Sequence, residues 1–108
     1  MTENGFTEHA DAVFHRIEQV LDDCSADIDY DSNGSVLEME FADGSKLIVN
    51  RHVPNREIWL AAKSGGFHYS LKDGRWLSQR DGSELYAKLE ELVETGAGAR
   101  IRFRESAE

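Results

Sequence analysis

Cysteine is almost absent from this chain, with Cys24 the only one. A lone thiol forms no internal disulfide and supplies no Cys-x-x-Cys pair, so any cluster cofactor held mainly by the chain's own cysteines is excluded. There is a single proline and no internal repeat or low-complexity tract. No apolar run approaches the roughly 18–20 residues that a membrane helix needs. Met1–Thr7 has neither a basic nor an apolar region, so nothing reads as a signal peptide and the expected address is cytoplasmic. The motifs of common catalysts are missing too: no GxSxG, HExxH, P-loop or GxGxxG, and no Cys–His spacing of use to a nucleophile. No active site is read here.

What the chain has is acid, unevenly spread. At 108 residues and net charge −9 it fits one domain, residues 1–108, with one modest core. Residues 1–43 carry 12 acidic side chains and 1 basic one. Residues 44–80 carry 2 acidic and 7 basic, and residues 81–108 carry 7 acidic and 4 basic. One end is therefore a concentrated anionic field and the middle a mild cationic one. Such a field repels nucleic acid and attracts cations or a basic protein surface. Self-repulsion at this charge favours a monomer until cations screen it, which would permit cation-induced oligomers.

The periodicity predicts a first helix over about residues 7–24. Ala10, Val13, Phe14, Ile17, Leu21 and Cys24 recur at three- and four-residue steps, with Thr7 as N-cap and Glu8 and Asp11 suiting the helix dipole. Alternation then predicts strands over Asp27–Ser32, Val36–Phe41, Lys46–Asn50, Glu57–Lys63, Phe67–Lys72 and Arg75–Ser78. Asp43–Gly44 signals a hairpin. A second helix is expected over about residues 82–95 on the stripe Leu85, Leu89, Leu92 and Val93. Asp81 and Glu84 would form its capping box, Gly96 and Gly98 would end it, and Ile101–Arg104 would be a short tail. Hairpins between two helices imply an α+β two-layer sandwich. The N- and C-terminal helices cover one face of an antiparallel sheet of five to six strands, and the other face stays wet.

Two constellations stand out. On helix one, Glu8, Asp11, His15, Glu18 and Asp22 line up along one face opposite the apolar one. Asp23 sits beside them, and Asp27, Asp29 and Asp31 follow at strand spacing. Like charges so placed repel one another unless something positive binds. Carboxylate oxygens suit hard cations such as iron(III), calcium, magnesium or manganese, and His15 adds a nitrogen for iron(II) or cobalt. No compact ligand set closes around one point, so affinity should be weak; the alternative is a solvated helix face. The second constellation is Trp59, which alternation places outward with Ile48, Asn50 and His68. It is either an interface anchor or an indole covered by Arg or Lys stems. Trp76 is expected at an edge of the core. His9, His15, His52 and His68 are scattered and read singly as surface histidines.

The stretch Gly44–Tyr69 resembles the central signature of the frataxin family: a strand ending Asn-Arg, a Pro-containing turn, an Ile-Trp-Leu strand, a Gly-rich turn and an aromatic strand. The match runs through Asn50, Arg51, Pro54, Trp59, Leu60, Gly65, Gly66 and Tyr69. Upstream, Leu21-Asp22-Asp23 and then Asp27, Asp29 and Asp31 look like the acidic ridge of bacterial frataxins. The likeness spans about Phe6 to Val93. Cys24 stands where a bulky residue such as Trp is expected, so the end of helix one should pack differently. The resemblance implies weak binding of iron (Fe2+ or Fe3+), with other divalent cations tolerated, by Glu18, Asp22, Asp23, Asp27, Asp29 and Asp31. It implies docking of that ridge, with Asp22 and Asp23, on a basic patch of a cysteine desulfurase. The surface around Asn50, Arg51 and Trp59 would contact the iron–sulfur scaffold or the desulfurase complex. The implied role is a regulator or iron donor in iron–sulfur cluster assembly, not an enzyme, without nucleic acid or membrane. A ferroxidase or iron-storage enzyme is the first alternative, and an acidic adaptor without a metal role the second.

Overall fold

The computed structural model describes residues 3–103. Helix α1 (Glu3–Asp23) leads into strands β1 (Ile28–Ser32), β2 (Val36–Phe41), β3 (Lys46–His52), β4 (Glu57–Ala62), β5 (Gly65–Lys72) and β6 (Arg75–Leu77), and helix α2 (Leu85–Ala97) follows. The six strands form one antiparallel sheet in chain order, every neighbour joined by a short turn. Both helices lie on one face, as the alternation implies. Leu37, Met39, Leu47, Val49, Ile58, Leu60 and Tyr69 point inward and meet Phe6, Ala10, Val13, Ile17, Leu85, Leu89 and Val93, all but completely buried. No helix among the described residues is long and apolar enough to cross a membrane.

Several expectations are corrected. Helix α1 begins at Glu3, so Thr7 lies inside it rather than capping it. Phe6, wholly buried and edge-on to the Trp76 ring at 6.0 Å, carries the apolar stripe one turn further back. Helix α2 starts at Leu85, not 82, because Glu84 is the N-cap. Its carboxylate accepts from the Tyr86 and Ala87 amides, both at 3.1 Å. Asp81 instead closes the preceding turn by accepting from the Ser83 amide and hydroxyl, contacts that hold its carboxyl below the usual range. Gly98, in the left-handed region at φ 71°, ends the helix, while Gly96 lies within it. A Cβ on Gly96 would stand 2.5 Å from the Phe41 ring, so close helix–sheet approach explains that glycine.

The tail is core rather than trailing chain. Ile101 and Phe103 are buried, the Phe103 amide donates to Glu90 at 2.9 Å, and Arg16 Nε donates to the Phe103 carbonyl at 2.9 Å. Arg104 lies outside the described residues. Cys24 follows the last helical residue and is half-buried against the core.

Candidate functional site

The register divides the acidic residues between two surfaces. Tyr30 pairs with Met39 and Ile28 with Phe41, so these face the helices. Asp29 lies opposite Glu40, and Asp31 opposite Glu38, on the outer face of the sheet. Glu18, Asp22 and Asp23 of α1 lie on the helix side, with Asp27 in the connection between. Directly opposed like charges destabilise a sheet by up to about 1 kcal/mol per pair. Among the described residues only Lys46 answers these four carboxylates, through a 2.8 Å ion pair with Glu38 that also raises the lysine pKa. The outward alternation of Glu38 and Glu40 is readable in the sequence, but their union with Asp29 and Asp31 needs the β1–β2 register.

Tyr30 links the two acidic surfaces. Its hydroxyl donates to Asp22 Oδ1 at 2.6 Å. That hydrogen bond, followed by burial and the charges of Asp22 and Glu18, pushes the phenol pKa up to about 12. Asp11 is engaged differently, in a 2.7 Å ion pair with Arg51 Nη1. Arg51 therefore leaves the surface of Asn50 and Trp59 and points to the helix side. There its guanidinium lies 4.7 Å from the Phe14 ring centroid. Its side chain is only 11% exposed and bridges β3 to α1, on the side of the sheet opposite Trp59. His15 is exposed, beside a shallow groove of about 530 Å³ that it shares with Glu8, Asp11 and Glu18.

Among the described residues no three His, Cys, Asp or Glu side chains converge on a point that could hold a metal ion. The donor set fits a hard cation held by one or two exposed carboxylates and otherwise by water, and does not fit a closed coordination cage.

The outer sheet face is different beyond β2. Trp59 pairs with Asn50 on one side and His68 on the other. The His52 ring stacks on the indole at 4.0 Å and 8°, and the His68 ring on its other face at 4.1 Å and 10°. The indole Nε1–H donates to Glu57 Oε1 at 2.7 Å, and Ser70 Oγ reaches the other Glu57 oxygen at 3.4 Å. Covering by Arg or Lys stems, one of the two alternatives for Trp59, is absent among these contacts; imidazoles lie on both ring faces. Sequence reading placed His68 on this face but put His52 in a turn. Strand β3 extends two residues past Asn50, which brings His52 into the stack.

Against known proteins, the model of the frataxin-like domain matches residues 1–99. The chain is 46% identical over 103 residues to a protein of Paraburkholderia phymatum named iron–sulfur cluster assembly protein CyaY, covering 95% of this chain and 98% of that one. The solved frataxin of Psychromonas ingrahamii superposes with a TM-score of 0.92 at 35% identity, covering 97% of this chain and all of that one. A trimeric frataxin from the yeast Saccharomyces cerevisiae, solved in complex with ferrous iron, gives a TM-score of 0.68 at 27% identity over 92% of this chain and 88% of that one. Fold, element order and sequence agree over nearly the whole length, and the chain belongs to the frataxin-like family.

Proposed function

We propose that this protein serves iron–sulfur cluster assembly as a non-catalytic, weakly iron-binding regulator or iron donor, working in the cytoplasm. Its acidic surface would dock on a basic patch of the cysteine desulfurase, and its outer sheet face would meet the scaffold. The observation that carries the reading is the sidedness of the charge. Glu18, Asp22, Asp23, Asp27, Asp29 and Asp31 are gathered at one edge of the sandwich, with Asp29 and Asp31 facing Glu40 and Glu38 across the ladder. Repulsion there is relieved by a cation or by a basic protein, and the two then compete or cooperate at the same carboxylates. The names borne by the relatives point the same way.

A ferroxidase would need carboxylates bridging paired metals, as facing helices provide in di-iron bundles. One exposed helix face and one edge strand offer no such enclosure. The adaptor without a metal role is favoured by one observation, the lack of a convergent ligand set among the described residues.

Titration of the uniformly 15N-labelled protein with iron(II) without oxygen, then with the desulfurase, separates these readings. Shifts confined to residues 15–31 with iron, overlapping those caused by the desulfurase, are the expected result. If iron leaves those resonances unmoved while the desulfurase shifts them, the adaptor reading replaces this one. Iron(II) oxidation above the buffer background, lost in Glu18→Ala/Asp22→Ala, would establish the ferroxidase.

A further inference from the structure

Trp59 is not a projecting knob. Its two ring faces are occupied by His52 and His68 at 4.0 and 4.1 Å, and its only polar atom is held by Glu57 at 2.7 Å. The three rings come from three adjacent strands, β3, β4 and β5, and each imidazole is parallel to the indole within 10°. Neighbouring strands lie about 4.7–4.9 Å apart, so rings stacked across them stand side by side on the sheet with their edges outward. A partner meets a strip of ring edges, and it cannot slide an aromatic group over the indole. His52 Nδ1 is buried without a hydrogen-bond partner. The polar atoms such a strip offers outward are therefore the remaining imidazole nitrogens.

The surroundings give the partner's charge. Outward positions on β5 and β6 carry Lys72 and Arg75, which oppose each other in register. A cleft of about 360 Å³ beside His68 is lined by Gln79 and Arg80. Glu57 lines the same cleft but is committed to Trp59 and Ser70, and Asp73 lies in the turn between Lys72 and Arg75; across residues 44–80 basic side chains still outnumber acidic ones by 7 to 2.

Resting on the reading of this face as a partner surface, we propose that His52 and His68 are its specificity-determining residues. They hold Trp59 upright and present a preformed strip of imidazole edges to a partner surface rich in hydrogen-bond acceptors, carboxylates in particular. Pre-ordering three aromatic side chains removes part of the ordering cost that docking otherwise carries. The chain is then two-sided: a basic partner on the ridge, an acceptor-rich one on the stack.

Three variants of the full chain test this against the purified scaffold protein, with affinity, thermal midpoint and the indole N–H resonance of Trp59 recorded for each. Trp59→Ala tests the underlying reading and should weaken binding about tenfold or more. His52→Leu/His68→Leu keeps apolar bulk but removes rings and nitrogens. It should weaken binding about fivefold or more, move or broaden the indole N–H resonance, and leave the midpoint within a few degrees. Arg80→Glu should weaken binding while leaving that resonance in place. If Trp59→Ala binds like the parent, the partner-surface reading falls and the inference with it. If Trp59→Ala is impaired but the double histidine variant is not, the reading stands and the inference is overturned. Tighter binding by Arg80→Glu would overturn the partner's sign.

Discussion

The outer face of the sheet is built on two opposite plans. Across β1 and β2 it carries Asp29, Asp31, Glu38 and Glu40, opposed in register and, among the described residues, answered by Lys46 alone. Across β3 to β5 it carries the His52–Trp59–His68 stack, with the indole satisfied on both faces and at its nitrogen. The first region is electrostatically unfinished and stays solvated. The second is preformed by stacking. A surface whose charges lack partners attracts ligands from a distance and loses that attraction as salt rises. A preformed aromatic strip acts at contact. The two regions share one core, so substitutions can separate what each contributes.

The largest effect is expected from Phe103→Ala. The ring is fully buried, and the backbone on either side of it ties Glu90 of α2 and Arg16 of α1 together. Loss of a buried phenylalanine costs about 3–5 kcal/mol. Denaturant unfolding should show that loss, with amide resonances of the acidic and the aromatic region disappearing in a single transition. Separate transitions would show that the regions do not share a core. Arg51→Ala is expected to be milder, about 1–2 kcal/mol. It removes an ion pair whose Asp11 end is solvent-exposed and which is therefore of modest worth, together with a buried stem and a cation over Phe14. Its effect on hydrogen exchange should concentrate at the α1–β3 contact, and an unchanged exchange pattern would show that Arg51 is no clamp.

How far these regions were legible from residues alone follows from what each depends on. The sandwich was legible because hydrophobic alternation on Leu37, Met39, Leu47, Val49, Ile58 and Leu60 is strict, and because α1 has a continuous stripe. The N-terminus of α2 was misplaced because both Asp81 and Glu84 are acceptors followed by free amides. Only backbone geometry shows that Asp81 serves a turn and Glu84 the helix. Ile101 and Phe103 were read as a tail because a short apolar pair lacks periodicity. In the acidic region, the residue types were visible, but the partition of Asp22 and Asp23 from Asp29 and Asp31 follows from β-strand alternation read against the helix layer. Arg51 is grouped with Asn50 and Trp59 by the family resemblance, whereas alternation puts it on the same side as Val49. The histidine stack required both the extension of β3 and the β4–β5 register, and neither is encoded locally.

Charge reversal on the edge strand sharpens the comparison in the opposite direction. Asp29→Lys places an ammonium opposite Glu40 and converts a repulsive cross-strand pair into an attractive one. A gain of about 0.2–1 kcal/mol is expected, read as a rise in the unfolding midpoint that shrinks at high salt. The same variant should bind the desulfurase more weakly, because the repulsion being relieved is what attracts a basic partner. Both changes together mark the acidic region as retained at a cost to stability. A gain in stability with undiminished binding would instead assign those carboxylates no part in docking.

The smallest and most local effect concerns Tyr30, whose hydroxyl joins the helix-side carboxylates to the edge strand. Its hydroxyl donates to Asp22 Oδ1, and ionising the phenol would destroy that bond and place a third negative charge beside Asp22 and Glu18. The neutral phenol is therefore favoured, and its pKa is pushed up to about 12 from the ordinary phenol value of 10.0. The sign follows: an acid whose folded pKa is raised stabilises the fold fully below its unfolded pKa and loses that contribution as pH rises through the folded one. Ultraviolet titration of tyrosinate should resolve Tyr30 as a late-ionising phenol, with Tyr30→Phe removing its step. Tyr69, buried and also raised, must be assigned separately with Tyr69→Phe. In Asp22→Asn the Tyr30 step should move down toward the ordinary phenol range, because the charge and the strong acceptor vanish together. If it stays where it was, the bond to Asp22 is not what holds the phenol neutral, and burial with the charge of Glu18 must do so instead.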